Sequence, residues 1–141
     1  MTEVQRVIAI DGPSGAGKST VARGVAEALG SSVLDTGAMY RAVTLAVLDR
    51  GVDPADAHAC AHVAVAAEVV LDDRVFLDGR DITAEIREPA VTAMVSTVSA
   101  HPVVREVLVA RQRAWAETHG GGVVEGRDIG TVVFPDAAVK V

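Results

Sequence analysis

The residues whose chemistry is easiest to interpret lie in one short segment, Gly12-Pro13-Ser14-Gly15-Ala16-Gly17-Lys18-Ser19. Its spacing matches the pattern G-x-x-x-x-G-K-[ST] in full. Glycines let the backbone curl so that successive N–H groups converge on a phosphate, and a helix that begins at Lys18 adds its positive end. We therefore predict that this segment, together with Thr20, binds a nucleoside triphosphate.

Two side chains of this segment carry the predicted chemistry. The Lys18 ammonium can reach the β- and γ-phosphates, and the Ser19 hydroxyl can ligate Mg²⁺. Lys18 is thus a candidate catalytic residue and Ser19 a candidate metal ligand. The alternative is a glycine-rich turn that binds no ligand. A predicted strand before the loop and a predicted helix after it argue against that alternative.

Two other polar clusters follow predicted strands. Asp35-Thr36-Gly37 ends one strand, and Arg41 lies one turn into the next helix, where it could pair with the phosphate of an acceptor molecule. A solvated helix arginine is an equally good interpretation of Arg41. Gly126-Arg127-Asp128 ends another strand and offers a cation and an anion together, either to a ligand or as a structural ion pair. Ligands bind outside the carboxyl ends of parallel strands, which favours a ligand.

The elements that must position these clusters follow from the hydrophobic pattern. Short apolar runs predict strands at residues 7–10, 32–34 and 123–125, and a fourth that begins at residue 138. Helices are predicted at residues 18–29, 38–49, 54–67 with Asp53 as cap, 89–99 and 102–119. The apolar face of the first helix is predicted to consist of Val21, Val25, Ala28 and Leu29. This pattern predicts an α/β fold of three layers, a parallel sheet with helices on both faces.

The middle of the chain, roughly residues 65–100, has a different pattern. Two short strands are predicted at residues 68–71 and 74–77 around an Asp72-Asp73 turn. Asp78-Gly79 makes another turn, and the segment through Ile86 looks irregular. We predict a single domain over residues 1–141, in which this middle segment is an insertion on the α/β core and not a second domain.

Composition narrows the classes of function. The chain has 141 residues, of which 50% are hydrophobic and 3% aromatic, and its formal net charge is −6. An acidic chain is a poor candidate for nucleic-acid binding, which needs a basic face. The single cysteine, Cys60, has no partner for a disulfide and is predicted to be buried. The N-terminus has no apolar signal core and no stretch is apolar enough for a bilayer, so we expect a cytoplasmic location and no membrane partner.

Three segments closely resemble bacterial cytidylate kinases, which are P-loop kinases of nucleoside monophosphates, in order and spacing. They are residues 10–18 (IDGPSGAGK), 34–41 (LDTGAMYR) and 125–135 (EGRDIGTVVFP). Glu85-Ile86-Arg87, Val104-Arg105-Glu106 and Arg111-Gln112-Arg113 also match. The resemblance covers nearly all of the chain and implies a P-loop fold with an inserted nucleoside-monophosphate-binding segment. It further implies transfer of the γ-phosphoryl group of ATP, with Mg²⁺, to CMP or dCMP, which gives CDP or dCDP.

The resemblance also implies roles for matching positions. Ser96, Arg105 and Asp128 would contact the cytosine ring, Arg41 and Arg127 would hold the CMP phosphate, Arg127 would also be catalytic, and Thr36 would lie near the acceptor nucleotide. An aspartate can accept from the cytosine N4 amine while an arginine and a serine donate to N3 and O2, a pattern that adenine does not match. Ser96 could instead be an ordinary helix-surface serine, and Arg105 could belong to a basic stripe with Arg111 and Arg113.

Family members continue well past the position of Val141. The expected remainder would hold a lid over the phosphates and the adenine-side wall. We therefore expect a C-terminally incomplete core, in which residues 1–141 alone bind nucleotides better than they transfer phosphate. Two alternatives stay open at this point, another small-molecule P-loop kinase and a non-catalytic nucleotide-binding fragment.

Overall fold

The computed structural model describes residues 6–13 and 17–141. It forms two compact units. Unit 1 comprises the described residues of Met1–Thr36 and Ala110–Val141, and unit 2 comprises Gly37–Val109. The prediction of one domain with an insertion at about residues 65–100 stays a prediction.

The chain alternates strands and helices at both ends and has a small antiparallel sheet in the middle. In chain order the elements are β1 (Val7–Asp11), α1 (Lys18–Leu29), β2 (Val33–Asp35), α2 (Thr36–Asp49), α3 (Ala57–Ala66), β3 (Val69–Leu71), β4 (Val75–Leu77), β5 (Arg80–Asp81), a 3-10 turn (Glu85–Arg87), α4 (Pro89–Ala100), α5 (Pro102–His119), β6 (Gly122–Gly126), a π-helical turn (Ile129–Val133) and β7 (Val139–Lys140). Within residues 6–13 and 17–141, no helix combines the length and apolar character needed to cross a membrane.

Unit 1 is built on a four-stranded parallel sheet in the order β2-β6-β1-β7. Ala9 is fully buried and Ile10 is 3% exposed. Because neighbouring side chains of a strand point to opposite faces, both faces of β1 are covered. Such strands have continuous apolar runs without polar alternation, as this sequence does. The predicted α/β fold, a parallel sheet flanked by helices, is confirmed.

Helix α1 packs on this sheet through small side chains. Ala22 and Ala26 are its buried residues and belong to a core cluster with sheet residues. The predicted apolar face is wrong: of its four residues only Val25 packs against this cluster, while Val21 is 48% and Leu29 is 59% exposed. The physical reason is size, because alanines let the helix axis approach the sheet closely and a face of valine and leucine would hold it away.

Unit 2 has its own core and its own sheet. Helix α2 contributes three fully buried apolar residues, Ala42, Val43 and Val47. Strands β3, β4 and β5 form an antiparallel sheet in that order. The segment predicted to be irregular contains β5 and the 3-10 turn, so that prediction is wrong. A strand of two charged residues, Arg80 and Asp81, has no apolar alternation from which it could be recognised.

The start of α3 also differs from the prediction. The predicted cap, Asp53, accepts from the backbone N–H of Ala55 at 2.9 Å and so closes a turn before the helix. The helix is capped by Asp56, whose side chain accepts from the N–H of Ala59 at 3.1 Å. Two aspartates in one short segment can each bond to a backbone N–H two or three residues on, and the later one caps the helix. Cys60 is buried as predicted, and this burial raises the pKa of its thiol.

Candidate functional site

Three parallel strands of unit 1 end in acidic residues at one edge of the sheet. These are Asp11 at the end of β1, Asp35 at the end of β2 and Glu125 near the end of β6. In the strand register, Glu125 lies beside both Ile10 and Asp35. Because ligands bind at the carboxyl edge of such sheets, this edge is the candidate site of unit 1.

The segment predicted to bind phosphate, residues 12–20 and named the phosphate-binding segment, starts at this edge. The N–H of Gly12 donates to the carbonyl of Gly126 at 3.2 Å, which joins the end of β1 to the end of β6. Gly17 has a φ of 79°, a conformation that favours glycine, and α1 begins directly after it. The Lys18 ammonium donates to the Gly12 carbonyl, so its charge lies beside the first residue of the segment. The remaining predicted phosphate-binding residues are exposed (Pro13 and Thr20) or lie outside the described residues (Ser14, Gly15 and Ala16).

The first turn of α1 is bonded to β6 through a buried carboxylate. The Ser19 hydroxyl donates to Oε1 of Glu125 at 2.7 Å, and Glu125 is only 4% exposed. Burial raises the pKa of the Glu125 carboxyl, the hydrogen bond from Ser19 opposes this shift, and the nearby charge of Asp35 adds to it. No role was predicted for Glu125. The available signal was an acidic residue at the end of an otherwise apolar strand.

Ser19 and Glu125 together suit a hard cation. Mg²⁺ prefers oxygen ligands, and it usually binds one or two protein groups together with substrate phosphates and water. The pair offers a hydroxyl oxygen and a carboxylate oxygen 2.7 Å apart. In the described part of the chain, no group of three or more His, Cys, Asp or Glu side chains could hold a metal ion. The two oxygen atoms of the pair are of the type that Mg²⁺ binds, and the predicted role of Ser19 as a Mg²⁺ ligand stays a prediction.

Thr36 lies at the same edge and is buried, with 3% exposure. Its hydroxyl donates to the backbone carbonyl of Glu125 at 2.8 Å, which ties the start of α2 to β6. A Cβ placed on Gly126 would come within 2.0 Å of Oγ1 of Thr36, so only glycine fits at that position. The predicted role of Thr36 beside the acceptor nucleotide stays a prediction.

Arg127 and Asp128 follow β6 directly, and both are exposed. Asp128 has left-handed backbone angles, φ 57° and ψ 28°, which non-glycine residues adopt infrequently. Its carbonyl accepts from the N–H groups of Val132 at 2.9 Å and Val133 at 3.1 Å. The backbone of Asp128 thus starts the π-helical turn.

The remaining predicted substrate-binding residues belong to unit 2. The guanidinium of Arg41 donates from Nη1 to the carbonyl of Ile86 at 2.9 Å and to Oγ1 of Thr92 at 3.0 Å. Ser96 is exposed on α4 one turn after Thr92, and residues four apart share a helix face. Arg105 is half-buried in the first turn of α5.

The predicted site residues therefore divide between the two units. Unit 1 brings the phosphate-binding segment, Thr36, Arg127 and Asp128 to one sheet edge. Unit 2 brings Arg41 to the helix that carries Ser96, while Arg105 lies on the next helix. Their roles in binding stay predictions.

Nearly all of the chain matches known proteins. The family model of cytidylate kinase matches residues 8–141. The cytidylate kinase of Mycolicibacterium paratuberculosis is 57% identical over 140 residues, which cover 96% of this chain and 61% of the relative. The cytidylate kinase of Pelotomaculum thermopropionicum is 57% identical over 141 residues (95% of this chain, 62% of the relative). The cytidylate kinase of Limosilactobacillus reuteri is 52% identical over 139 residues (95% of this chain, 60% of the relative). The chain spans about three fifths of the length of these relatives. Because the family model matches residues 8–141, the chain belongs to the cytidylate kinase family.

Proposed function

We propose that this chain supplies the phosphate-binding and acceptor-binding parts of an ATP-dependent kinase of CMP and dCMP. In this reaction an oxygen of the CMP phosphate forms a bond to the γ-phosphorus of ATP. The bond between that phosphorus and the β,γ-bridging oxygen breaks, and CDP and ADP are the products. The observation that carries the proposal is the single sheet edge of unit 1, which holds the phosphate-binding segment, the Ser19–Glu125 pair and Arg127-Asp128.

On the ATP side, the backbone of residues 12–20 and the Lys18 ammonium would hold the β- and γ-phosphates. The Lys18 ammonium donates to the Gly12 carbonyl at the first residue of this segment. Exchange of this neutral acceptor for a phosphate oxygen would give a charge-assisted hydrogen bond, which is the stronger kind. As negative charge shifts toward the leaving oxygen, Lys18 stabilises it.

Ser19 and Glu125 would hold Mg²⁺ beside these phosphates. When bound, the ion would neutralise charge on the β- and γ-phosphates. The chain's own contribution is a hydroxyl whose position is fixed by a buried carboxylate. Burial raises the pKa of Glu125 and so favours its neutral form. A bound cation would act in the opposite direction, because a nearby positive charge favours the ionised carboxylate.

On the acceptor side, Arg127 and Arg41 would hold the CMP phosphate. Arg127 is a candidate catalytic residue because its charge would orient the attacking oxygen and offset the charge of the transferred group. Asp128, Arg105 and Ser96 would recognise the cytosine ring, with the carboxylate of Asp128 accepting from the N4 amine. Thr36 would lie near the acceptor nucleotide with its hydroxyl bonded to the β6 backbone.

Equilibrium binding tests the proposal directly on this chain. CMP and dCMP are titrated calorimetrically into the protein, and AMP and GMP serve as matched controls with the same phosphate but another base. We expect CMP and dCMP to bind at least about tenfold more tightly than AMP, because purines leave base-recognising groups unpaired. Equal binding of AMP and CMP, or no binding of CMP, would contradict the proposal.

A second measurement tests phosphoryl transfer in the protein that contains this chain. ADP release is followed in a coupled assay with ATP and CMP, and with water as the only acceptor in the control.

The proposed partners are small nucleotides and include neither nucleic acid nor membrane. The cytoplasmic location expected from the sequence stays a prediction.

A further inference from the structure

The segment of residues 127–133, named here the β6 turn, carries two of the proposed substrate-binding residues. Arg127 and Asp128 are exposed at its start, while Ile129 and Val133 are 1% and 3% exposed. The turn is thus anchored in unit 1 by apolar side chains and presents its charged residues outward. Packing alone, however, does not fix the direction of an exposed side chain.

The start of the turn is held in an uncommon conformation. The φ of Asp128 is 57°, and a non-glycine residue keeps such left-handed angles only when its surroundings impose them. Aspartate tolerates these angles better than most residues. Other contacts must therefore determine the backbone path at Asp128, and with it the direction of its side chain.

The carboxylate of Asp11 supplies such contacts at the start of the turn. Its Oδ1 accepts from the N–H of Ile129 at 2.6 Å, and its Oδ2 accepts from the N–H of Gly130 at 3.0 Å. Both oxygens are thus used on the two amides that directly follow Asp128. Hydrogen bonds to an ionised acceptor are about twice as strong as neutral ones.

The guanidinium of Arg113 supplies matching contacts at the end of the turn. Its Nε donates to the carbonyl of Val133 at 3.1 Å, and its Nη2 donates to the carbonyl of Val132 at 3.2 Å. Amides at the start of a helical turn favour a negative partner, and carbonyls at its end favour a positive one. Asp11 and Arg113 have these signs.

The close approach of Asp11 depends on glycine at position 130. A Cβ at that position would lie 3.2 Å from Oδ2 of Asp11 and 3.1 Å from the Cγ and Cδ atoms of Lys140. These separations are tighter than ordinary carbon contacts. The contact between the Asp11 carboxylate and the turn is therefore favoured by the small size of Gly130 as well as by the charge of Asp11.

We propose that Asp11 and Arg113 are positioning residues that clamp the two ends of the β6 turn and so direct Arg127 and Asp128 toward the acceptor nucleotide. This inference rests on the proposed function of Arg127 and Asp128. Neither Asp11 nor Arg113 needs to touch the nucleotide. Their effect passes through the backbone of residues 128–133, because the bonds that Asp11 and Arg113 make to the turn go to its main-chain groups.

The test measures acceptor affinity and the state of the turn separately. Arg113→Met removes both donors at the end that is remote in sequence from the phosphate-binding segment, and Arg113→Lys restores the charge and part of the donor set. Asp11→Asn removes one acceptor and the negative charge at the other end. Asp136→Asn is the matched control, because it removes an exposed carboxylate of unit 1 just beyond the turn.

CMP and a non-hydrolysable ATP analogue are titrated into each variant, and amide hydrogen exchange is recorded at Ile129 and Gly130. We expect Arg113→Met and Asp11→Asn to weaken CMP binding by about tenfold, by analogy with loss of a charged hydrogen bond. Arg113→Lys should recover part of this loss, and Asp136→Asn should bind like the parent chain. For Arg113→Met, binding of the ATP analogue should change less than about twofold, since the bonds described for that end of the turn run to Asp128 and Arg113. Exchange at Ile129 and Gly130 should become faster in Asp11→Asn.

Three results would overturn the inference. CMP affinity could stay unchanged while exchange accelerates, which would show that the turn can loosen without consequence for the acceptor. CMP and the ATP analogue could weaken equally in Arg113→Met, which would indicate a general structural role. Exchange at Ile129 and Gly130 could stay slow in Asp11→Asn, which would show that there is no clamp. A parent chain that does not bind CMP, with fast exchange in Asp11→Asn, would instead contradict the proposed function and leave the clamp itself supported.

Discussion

The charged groups at the sheet edge of unit 1 and those around Arg80 on the surface of unit 2 are partnered in different ways. At the sheet edge of unit 1, Asp11 bonds to two backbone amides and the 4%-exposed Glu125 bonds to a hydroxyl. In unit 2, Arg80 pairs with Asp49 and Glu85 on the surface, where the three side chains are 37–50% exposed. Exposed ion pairs contribute little to stability, whereas a buried polar group that loses its partner is costly. In these two regions, charges bonded to backbone and hydroxyl groups fix the local geometry more firmly than charges paired with each other at the surface.

The largest effect should follow removal of the Lys18 charge. We expect Lys18→Ala to lower phosphoryl transfer at least about a hundredfold, as loss of a charge-stabilising group commonly does. The fold should be unchanged, because Lys18 is part-buried and bonds to a backbone carbonyl and not to the core. ADP release measured beside a circular dichroism spectrum checks this, with Arg50→Gln in unit 2 as the control. Normal turnover with a native spectrum would contradict the proposed catalytic role of Lys18 at the sheet edge of unit 1.

Base recognition gives the next largest expected effect. Asp128→Asn keeps the left-handed backbone, which asparagine tolerates, but loses the charged acceptor for the cytosine amine. Loss of a hydrogen bond to a charged group costs about 1.5–3 kcal/mol, so CMP should bind roughly ten- to a hundredfold more weakly. Arg105→Ala should weaken CMP binding in the same range. Calorimetric titration measures both, and parent-like affinity in both variants would exclude the proposed cytosine site.

Steric crowding at the sheet edge predicts a third effect, this time on stability. A Cβ at Gly126 would come 2.0 Å from Oγ1 of Thr36, so Gly126→Ala should destabilise the fold by about 1–3 kcal/mol. Adding Thr36→Ala removes the obstructing oxygen and should recover part of the loss, whereas Thr36→Ser keeps that oxygen and should not. Urea unfolding of the single and double variants gives the coupling energy. Strict additivity would show that the two residues do not crowd each other.

The raised pKa of Glu125 predicts opposite effects on stability and activity. A carboxyl whose folded pKa lies above its ordinary value of 4.5 stabilises the fold while it is protonated, and this contribution is lost as pH rises through the folded pKa. Glu125→Gln cannot ionise and keeps an acceptor for the Ser19 hydroxyl. Its free energy of unfolding relative to the parent should therefore improve as pH rises from the ordinary pKa of 4.5 through the raised pKa of the folded protein. Mg²⁺-dependent turnover should fall in the same variant. If the stability difference does not change with pH, burial of Glu125 has no energetic cost.

Much of the fold could be predicted from local sequence. Continuous apolar runs identified β1, β2 and β6 to within one residue, because a doubly covered parallel strand needs such a run. Gly30 identified the end of α1, where its φ of 63° requires a residue that tolerates left-handed angles. Helix starts were less certain, since Asp53 and Asp56 are both good caps and only the packed helix selects one.

The contacts of the candidate site could not be predicted in the same way. Ser19 and Glu125 are 106 residues apart, and Asp11 and Gly130 are 119 residues apart. They meet because β6 inserts between β1 and β2 in the sheet, and strand order is not encoded in any local pattern. The G-x-x-x-x-G-K-[ST] motif therefore identified the loop and Lys18. The roles of Glu125, Asp11 and Arg113 could be recognised only once the strand order was known.

The smallest effect is expected from a surface charge of unit 2. Arg50 pairs with Asp78 at 3.5 Å, and their side chains are 41% and 49% exposed. Arg50→Gln should change the free energy of unfolding by less than about 0.5 kcal/mol, because solvent and salt screen such a pair.

Asp78 has a second role, since its Oδ1 accepts from the N–H of Glu68 at 2.9 Å. Asp78→Asn keeps that acceptor and loses only the charge, so it should be nearly as stable as the parent, whereas Asp78→Ala should cost about 1 kcal/mol more through the lost backbone bond. Urea unfolding of the three variants measures these differences. A large loss in Arg50→Gln and Asp78→Asn together would mean that the ion pair, and not the backbone bond, holds this turn, and the contrast between the units would then fail.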